Sequence, residues 1–434
     1  CFLVRSADDT SLVDAPLVEA LLQIAYNLNS LLEGAFMKKI RPLWVLIGCV
    51  FLGASHRTTS PFITPAIAVL EDGQIVTEST DPEAIKREIK NQVKFTIGAL
   101  NEIGGGAAIE STLHIELKDR IRENTVAYKA RLLIAYPQQY VLPQELQVVL
   151  PASGSRDGLK SFYDAYSPRC SSENHGWSSY FYDYRPMRCG LSQQAEPALG
   201  WRATFALEVQ EEHLDAKPET QKVWEDGKYN VIAIFGNTNS TDSTRSAVQF
   251  RQYLYNWFGT PIANQMDDHG RFSVQTMQFR AHKGVMVVSL FDLFDGNVQT
   301  LGESFKSAFE ALTPDADLVA YNGHSGLGAN VGALTHMGVF KPDQYQVYFL
   351  NGCDSFSYVD GRLAEAHVAQ NPESAPTKYL DLILTVLPSA FEEMAYGTAR
   401  VVLGLHTGSA TYYQMLSNIR NASPLVIGEE DNEE

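Results

Sequence analysis

Tyr321-Asn-Gly-His-Ser-Gly326 and Leu350-Asn-Gly-Cys-Asp-Ser355 are the stretches that decide how this chain folds. Each follows an apolar, strand-like run, Asp315-Ala-Asp-Leu-Val-Ala320 before the first and Tyr345-Gln-Val-Tyr-Phe349 before the second. If the two strands are parallel neighbours, His324 and Cys353 meet at their carboxyl ends, where parallel sheets gather reactive side chains. A Cys beside a His is a common route to a thiolate at neutral pH. The small residues Gly323, Gly326 and Gly352 let a substrate backbone come close, and they expose backbone N–H groups to an oxyanion.

Working outward, the flanking pattern alternates strands with helices, which predicts a mostly parallel α/β sheet over residues 229–425. Strands are expected at Tyr229–Phe235, Gly284–Phe291 and Arg400–Leu405, and helices at Ser243–Phe258, Gly302–Leu312 and Tyr379–Leu387. Upstream, residues 56–210 read as a separate α+β unit. Asp81 and Pro82 open a helix running to about Leu100, as a cap and a first-turn proline do. Gly104-Gly-Gly106 then closes it as a C-cap and loop, since a phosphate cradle would follow a strand. The charged stretch 211–228, with Pro218, reads as a linker, and residues 426–434 as an acidic solvated tail.

The front of the chain reads as a leader. Met37, Lys38-Lys-Ile-Arg41, the apolar run Leu43–Leu52 and Gly53-Ala-Ser55 form a secretory signal over residues 37–55. Residues 1–36 are expected to be translated upstream DNA, the alternative being a genuine amphipathic helix at Leu17–Leu32. Leu46-Ile-Gly-Cys49 also fits a lipoprotein box, so attachment through Cys49 is a second route. The expectation is an exported bacterial protein, periplasmic or secreted, with no transmembrane segment after cleavage.

About 380 residues then remain, enough for two domains. The net charge of -17 argues against binding a nucleic-acid backbone. Cys170 and Cys189 fall in one aromatic, polar region, and a disulfide between them fits an oxidising compartment. A metal site from Cys170, His175 and Cys189 is the alternative, although the spacing matches no standard zinc pattern. Cys353 is left as the odd thiol. The aromatic segment Trp177–Tyr184 reads as a candidate contact surface.

The His-then-Cys order on consecutive strands resembles the caspase-like superfamily of cysteine peptidases, of metacaspase, gingipain and clostripain type. The resemblance covers residues 229–406. Tyr321-Asn-Gly-His-Ser-Gly is close to a Tyr-Ser-Gly-His-Gly form, and Asn351-Gly-Cys-Asp-Ser to an Asp-x-Cys-x-Ser form. It implies Cys353 as nucleophile and His324 as acid and base. The oxyanion donors would be the N–H groups of Cys353 and of Ser325 or Gly326. A peptide or protein substrate is implied, without a cofactor or metal. Ser325 stands where the family has Gly, and the His-to-Cys interval is shorter than in caspases. No third catalytic group is identifiable; Asp292, at a strand end, and Asp354, beside the thiol, are the nearest acids in kind.

Two other readings compete. Gly323-His-Ser-Gly-Leu327 is similar to a serine-hydrolase elbow, with Ser325 as nucleophile and His406 as the available base, although Leu327 replaces the last glycine. An inactive caspase-like scaffold that binds partners through its aromatic segment is the other. His269, beside Asp267 and Asp268, reads as a polar loop rather than a cation site.

Overall fold

Alternation of apolar and polar residues builds the first sheet. In the computed structural model, residues 60–427 are described, apart from 174–175, 192–195, 211–212, 237–239, 295–296, 373–377 and 420–422. The expected leader and most of the acidic tail lie outside the described residues, as does His175. The strands of the first sheet are β1 (Ile63–Val76), β2 (Gly106–Ala107), β3 (His114–Arg122), β4 (Thr125–Pro137), β5 (Glu145–Pro151) and β6 (Gly200–Val209). They run antiparallel in the order β2-β4-β1-β6-β5, with β3 on β4. β1 is one long strand, whose pairing with β4 shifts between Leu70 and Gly73.

Asp81 accepts from the N–H groups of Glu83 and Ala84, and Pro82 opens the helix Pro82–Val93. A second helix, Phe95–Asn101, follows where one continuous helix was expected. The glycine triplet does close it: Gly104 has φ +81° and the Gly105 N–H bonds to the Leu100 carbonyl. Ile85, Ile89, Phe95 and Leu100 cover one face of the sheet together with Phe162 of the helix Arg156–Cys170.

The second sheet contains β7 (Lys228–Gly236), β8 (Ala263–Asp268), β9 (Phe272–Ala281), β10 (Gly284–Leu293), β11 (Leu318–Gly323), β12 (Gln346–Asn351), β13 (Leu380–Thr385) and β14 (Pro424–Ile427). Its order is β14-β13-β12-β11-β7-β10-β9-β8. The five strands from β13 to β10 are mutually parallel, and antiparallel strands close both edges. This is a mixed α/β architecture. Helices Ser240–Phe258 and Phe391–Thr407 cover one face. Helices Glu303–Glu310, Ala329–Thr335 and Arg362–Gln370 cover the other, joined by Ile63 and Leu133 from the first sheet.

Several expectations are corrected. Tyr379–Leu387, expected as a helix, holds β13, in which every residue is buried. A strand buried on both faces is a continuous apolar run with no period to betray it. Arg400–Leu405, expected as a strand, lies inside the helix Phe391–Thr407, where Val401, Val402 and Leu405 pack inward together with Met394 and Ala395. Its β-branched pair suggested a strand, and tertiary burial overrode that propensity. Strands β8, β9 and β14 were not foreseen.

Cys170 and Cys189 form a disulfide, which removes both thiolates from the proposed metal site. The aromatic segment between them is divided, with Trp177, Phe181 and Tyr182 partly exposed. It folds into the turns Trp177–Ser179 and Tyr180–Asp183, and Tyr180 and Tyr184 are buried beside Phe95 and Phe162. In the charged stretch before β7, Ala216, Val223 and Trp224 are buried in the core of the second sheet. Among the described residues, no helix is long and apolar enough to cross a membrane.

Candidate active site

β11 and β12 are parallel neighbours, and Asn322 registers with Asn351. His324 and Cys353 therefore leave adjacent strands in the same direction, each just past an Asn-Gly pair. Both Asn-Gly pairs have a structural cause. The Asn351 amide donates to Asn322 Oδ1 (3.1 Å), which also accepts from Thr398 Oγ1 of the helix behind (2.7 Å). This buried polar bridge locks the two strand ends in register. The glycines allow backbones to touch. A Cβ on Gly323 would lie 1.9 Å from the Gly236 carbonyl oxygen, and one on Gly352 would lie 2.6 Å from Ser325 Oγ and 2.9 Å from the Gly323 oxygen.

The two loops are stitched to each other. Ser325 Oγ donates to the Cys353 carbonyl at 2.5 Å. The His324 carbonyl accepts from Tyr321 Oη (2.7 Å) and from the Asn330 amide (2.8 Å). Thr385 of β13 donates to the Gly352 carbonyl, and Ser355 Oγ to the Leu350 carbonyl. A third segment, entering the helix Phe391–Thr407, touches both functional side chains. Cys353 Sγ lies 4.0 Å from the Ser389 carbonyl, and the Phe391 ring meets the His324 imidazole edge-on at 4.8 Å.

Both loops carry backbone strain. Leu327 (φ +51°) and Asp354 (φ +53°) occupy the left-handed region, flanked in the first loop by Gly326 and Gly328, also at positive φ. A side-chain-bearing residue there costs about 1–2 kcal/mol, and such strain gathers at functional sites. Among the described residues, the backbone N–H groups of Cys353, Ser325 and Gly326 make no backbone hydrogen bond.

Burial sets the charge state of the pair. It pushes the Cys353 thiol up, and repulsion from Asp354 adds to this, while hydrogen bonding with the backbone of Ser389 and of Cys353 itself works against it. Burial also holds the His324 imidazole below its usual value. No hydrogen bond joins the two side chains among the described residues. The resting pair is therefore a thiol and a neutral imidazole, where the sequence suggested a ready-made thiolate.

Other expected site residues fall elsewhere. Ser325 is 2% exposed and its hydroxyl proton is committed to the Cys353 carbonyl, so the serine-nucleophile reading is dropped. His406 rings with Trp224, His282 and Phe258, beside the amino-terminal starts of β7 and β10. That is the opposite end of the strands from Ser325. Asp292 stands on β10, which β7 separates from β11. His269 stacks on Phe272, and Asp268 caps the turn by accepting from the Gly270 N–H.

Asp354 is fully buried and accepts from Tyr182 Oη at 2.7 Å. Burial pushes its carboxyl up to about 7, against the pull of the Tyr182 hydrogen bond and Arg185. Beside the His324 loop, a cavity of about 230 Å³ opens between Lys94, Glu110 and Phe181 of the first sheet's layer and Leu327, Gly328 and Tyr358. Sequence reasoning did not find Asn322, Asn351, Ser389, Phe391 or Tyr182. The repeated Asn-Gly was the available signal for the first two. Comparison with protein-family models, with curated proteins and with solved structures found no match to this chain.

Proposed function

We propose that this chain is an exported, caspase-like cysteine peptidase. The carrying observation is that His324 and Cys353 follow registered, adjacent parallel strands, and that their loops are tied together by Ser325. Cys353 Sγ attacks the scissile carbonyl carbon as His324 takes the thiol proton. The oxyanion falls to the N–H groups of Cys353 and of Ser325 or Gly326, donors worth about 3 kcal/mol each in the barrier. His324 passes its proton to the leaving amine, and the acyl-enzyme thioester remains. Water, deprotonated by His324, then releases the acid and restores the thiol. Because the resting pair is uncharged, the thiolate forms during attack, as in general-base catalysis. Export is supported by the leader-like sequence at 37–55 and by the Cys170–Cys189 disulfide.

A second reading is an inactive scaffold of the same fold that binds a protein partner. It is favoured by the raised thiol and by the lack, among the described residues, of a His324–Cys353 hydrogen bond. Peptidyl electrophile labelling and peptide-library hydrolysis separate the two. For a peptidase, Cys353→Ala abolishes both signals and His324→Ala slows both by about 10²–10⁴-fold. Labelling that ignores His324 and tracks an ordinary thiol, with no peptide cleaved, overturns the peptidase.

A further inference from the structure

We propose that Tyr182, carried on the disulfide-bracketed segment of the first sheet's layer, is a positioning residue for Cys353 and acts on it through Asp354. The peptidase reading enters only in naming Cys353 as the reacting thiol.

The segment is built as a rigid mount. Cys170 ends one helix and is bonded to Cys189 beyond the aromatic turns. Between them, the Arg185 N–H bonds to the Cys170 carbonyl at 2.7 Å, and Ser171 bridges to Tyr184. The Arg185 guanidinium donates to the carbonyls of Gly98, Tyr182 and Tyr184. Tyr180 and Tyr184, on either side of Tyr182, are anchored in the aromatic core. Gly98 lets this segment press in, since a Cβ there would lie 2.4 Å from the Phe181 carbonyl oxygen.

From this mount, the Tyr182 hydroxyl crosses to Asp354, a residue 172 positions away. Asp354 is in the left-handed region and 0% exposed. Its second carboxyl oxygen has no partner among the described residues. Its own N–H reaches the Leu387 carbonyl only at 3.4 Å. Its carbonyl accepts from the Ser357 N–H at 2.9 Å, and the Tyr182 bond is the short, well-formed tie on the side chain of this strained residue, which is peptide-bonded to the thiol-bearing one. The charged and titratable groups around Asp354 are Tyr182, Asp183 and Arg185 from the mount, and Cys353 and Tyr358 from its own loop.

The electrostatic sign follows from the contacts. Tyr182 donates to the carboxylate and so favours its charged form, and that charge opposes the Cys353 thiolate. Removing the hydroxyl keeps Asp354 protonated to higher pH, and the thiol then ionises more easily.

The test is the pH profile of Cys353 alkylation by iodoacetamide, followed on the Cys353 peptide by mass spectrometry, in the full disulfide-bonded protein. Iodoacetamide needs a thiolate and no substrate site, so the readout is independent of peptide cleavage. Tyr182→Phe keeps the ring against Tyr358 and removes only the hydroxyl. It is expected to shift the profile to lower pH, with labelling near pH 7.5 faster by several-fold. Asp354→Asn, which installs a side chain that tolerates the left-handed region, is expected to shift it by up to about tenfold. In the Asp354→Asn background, Tyr182→Phe should add nothing. Tyr140→Phe, at an exposed tyrosine, serves as control. A Tyr182→Phe profile that superimposes on the parent overturns the inference, as does an equal shift in the presence and absence of the Asp354 carboxyl. Should Asp354→Asn fail to fold, the Tyr182→Phe profile decides alone. A shifted profile without peptide hydrolysis keeps this inference and removes the peptidase. Hydrolysis with an unshifted profile does the reverse.

Discussion

The same parallel strands end in two very different clusters of polar residues. At their carboxyl ends stand His324 and Cys353, with paired asparagines, touching glycines and two strained loops. Near their amino-terminal starts stand His406, His282 and Trp224, packed ring against ring. Burial lowers the imidazole of His324 and that of His406 alike. A buried, neutral histidine therefore does not mark a site by itself. What separates the two ends is how polar side chains are used. At the carboxyl end, three chain segments approach so closely that only hydrogen fits on Gly323, and side-chain hydrogen bonds are spent on holding loops. At the other end the backbones also meet closely, since a Cβ on Gly284 would lie 1.9 Å from the Gly227 carbonyl oxygen, but the space around the histidines is filled by aromatic rings.

The comparison breaks most visibly at Gly323. Gly323→Ala drives a methyl into the Gly236 carbonyl, a backbone atom that cannot rotate away. A loss of about 3 kcal/mol is expected, read as a lower denaturant midpoint, together with loss of Cys353 labelling by a peptidyl electrophile. A variant as stable and reactive as the parent would mean that the close approach at Gly323 does not hold the site together. Asn322→Ala comes next. It leaves the Thr398 hydroxyl and the Asn351 amide without their acceptor in the core. Each orphaned group costs about 1–3 kcal/mol, and Thr398→Val made on top should recover part of the loss. Failure of that rescue would mean the bridge is not what holds β11 to β12.

The positions of His324 and Cys353 were legible because a word at the end of an apolar run states its own location on a parallel strand. The polar bridge was half legible: Asn-Gly precedes both residues, and the repetition signals a shared local geometry. Ser389 and Phe391 were hidden because the strand before them, β13, is buried on both faces and was read as a helix. Once β13 became a helix, the following segment had no reason to return to the site. Tyr182 was hidden differently. Its neighbours Tyr180 and Tyr184 are core residues, and nothing in a run of tyrosines says which one faces a partner 172 residues on. The disulfide was legible from two cysteines falling in one polar, aromatic region, although the place of Tyr182 between them was not.

The smallest expected effect lies at the amino end, and its direction depends on pH. His406 Nε2 is buried without a partner among the described residues. Burial, with repulsion from His282 and Lys283, holds its imidazole below the ordinary value. A depressed histidine binds its proton more readily in the unfolded chain than in the folded one. Its contribution is therefore complete above the unfolded value of about 6.5 and is lost as pH falls below it. His406→Phe removes that loss and keeps the rings of Trp224 and Phe258 in contact. The variant should match the parent within about 0.5 kcal/mol at pH 8, melt higher than the parent at pH 5, and label Cys353 at the parental rate at both. Parental labelling would show that the two ends of the strands are energetically separate. A change in Cys353 reactivity would mean that the helix Phe391–Thr407, which carries His406 at one end and Phe391 at the other, couples them.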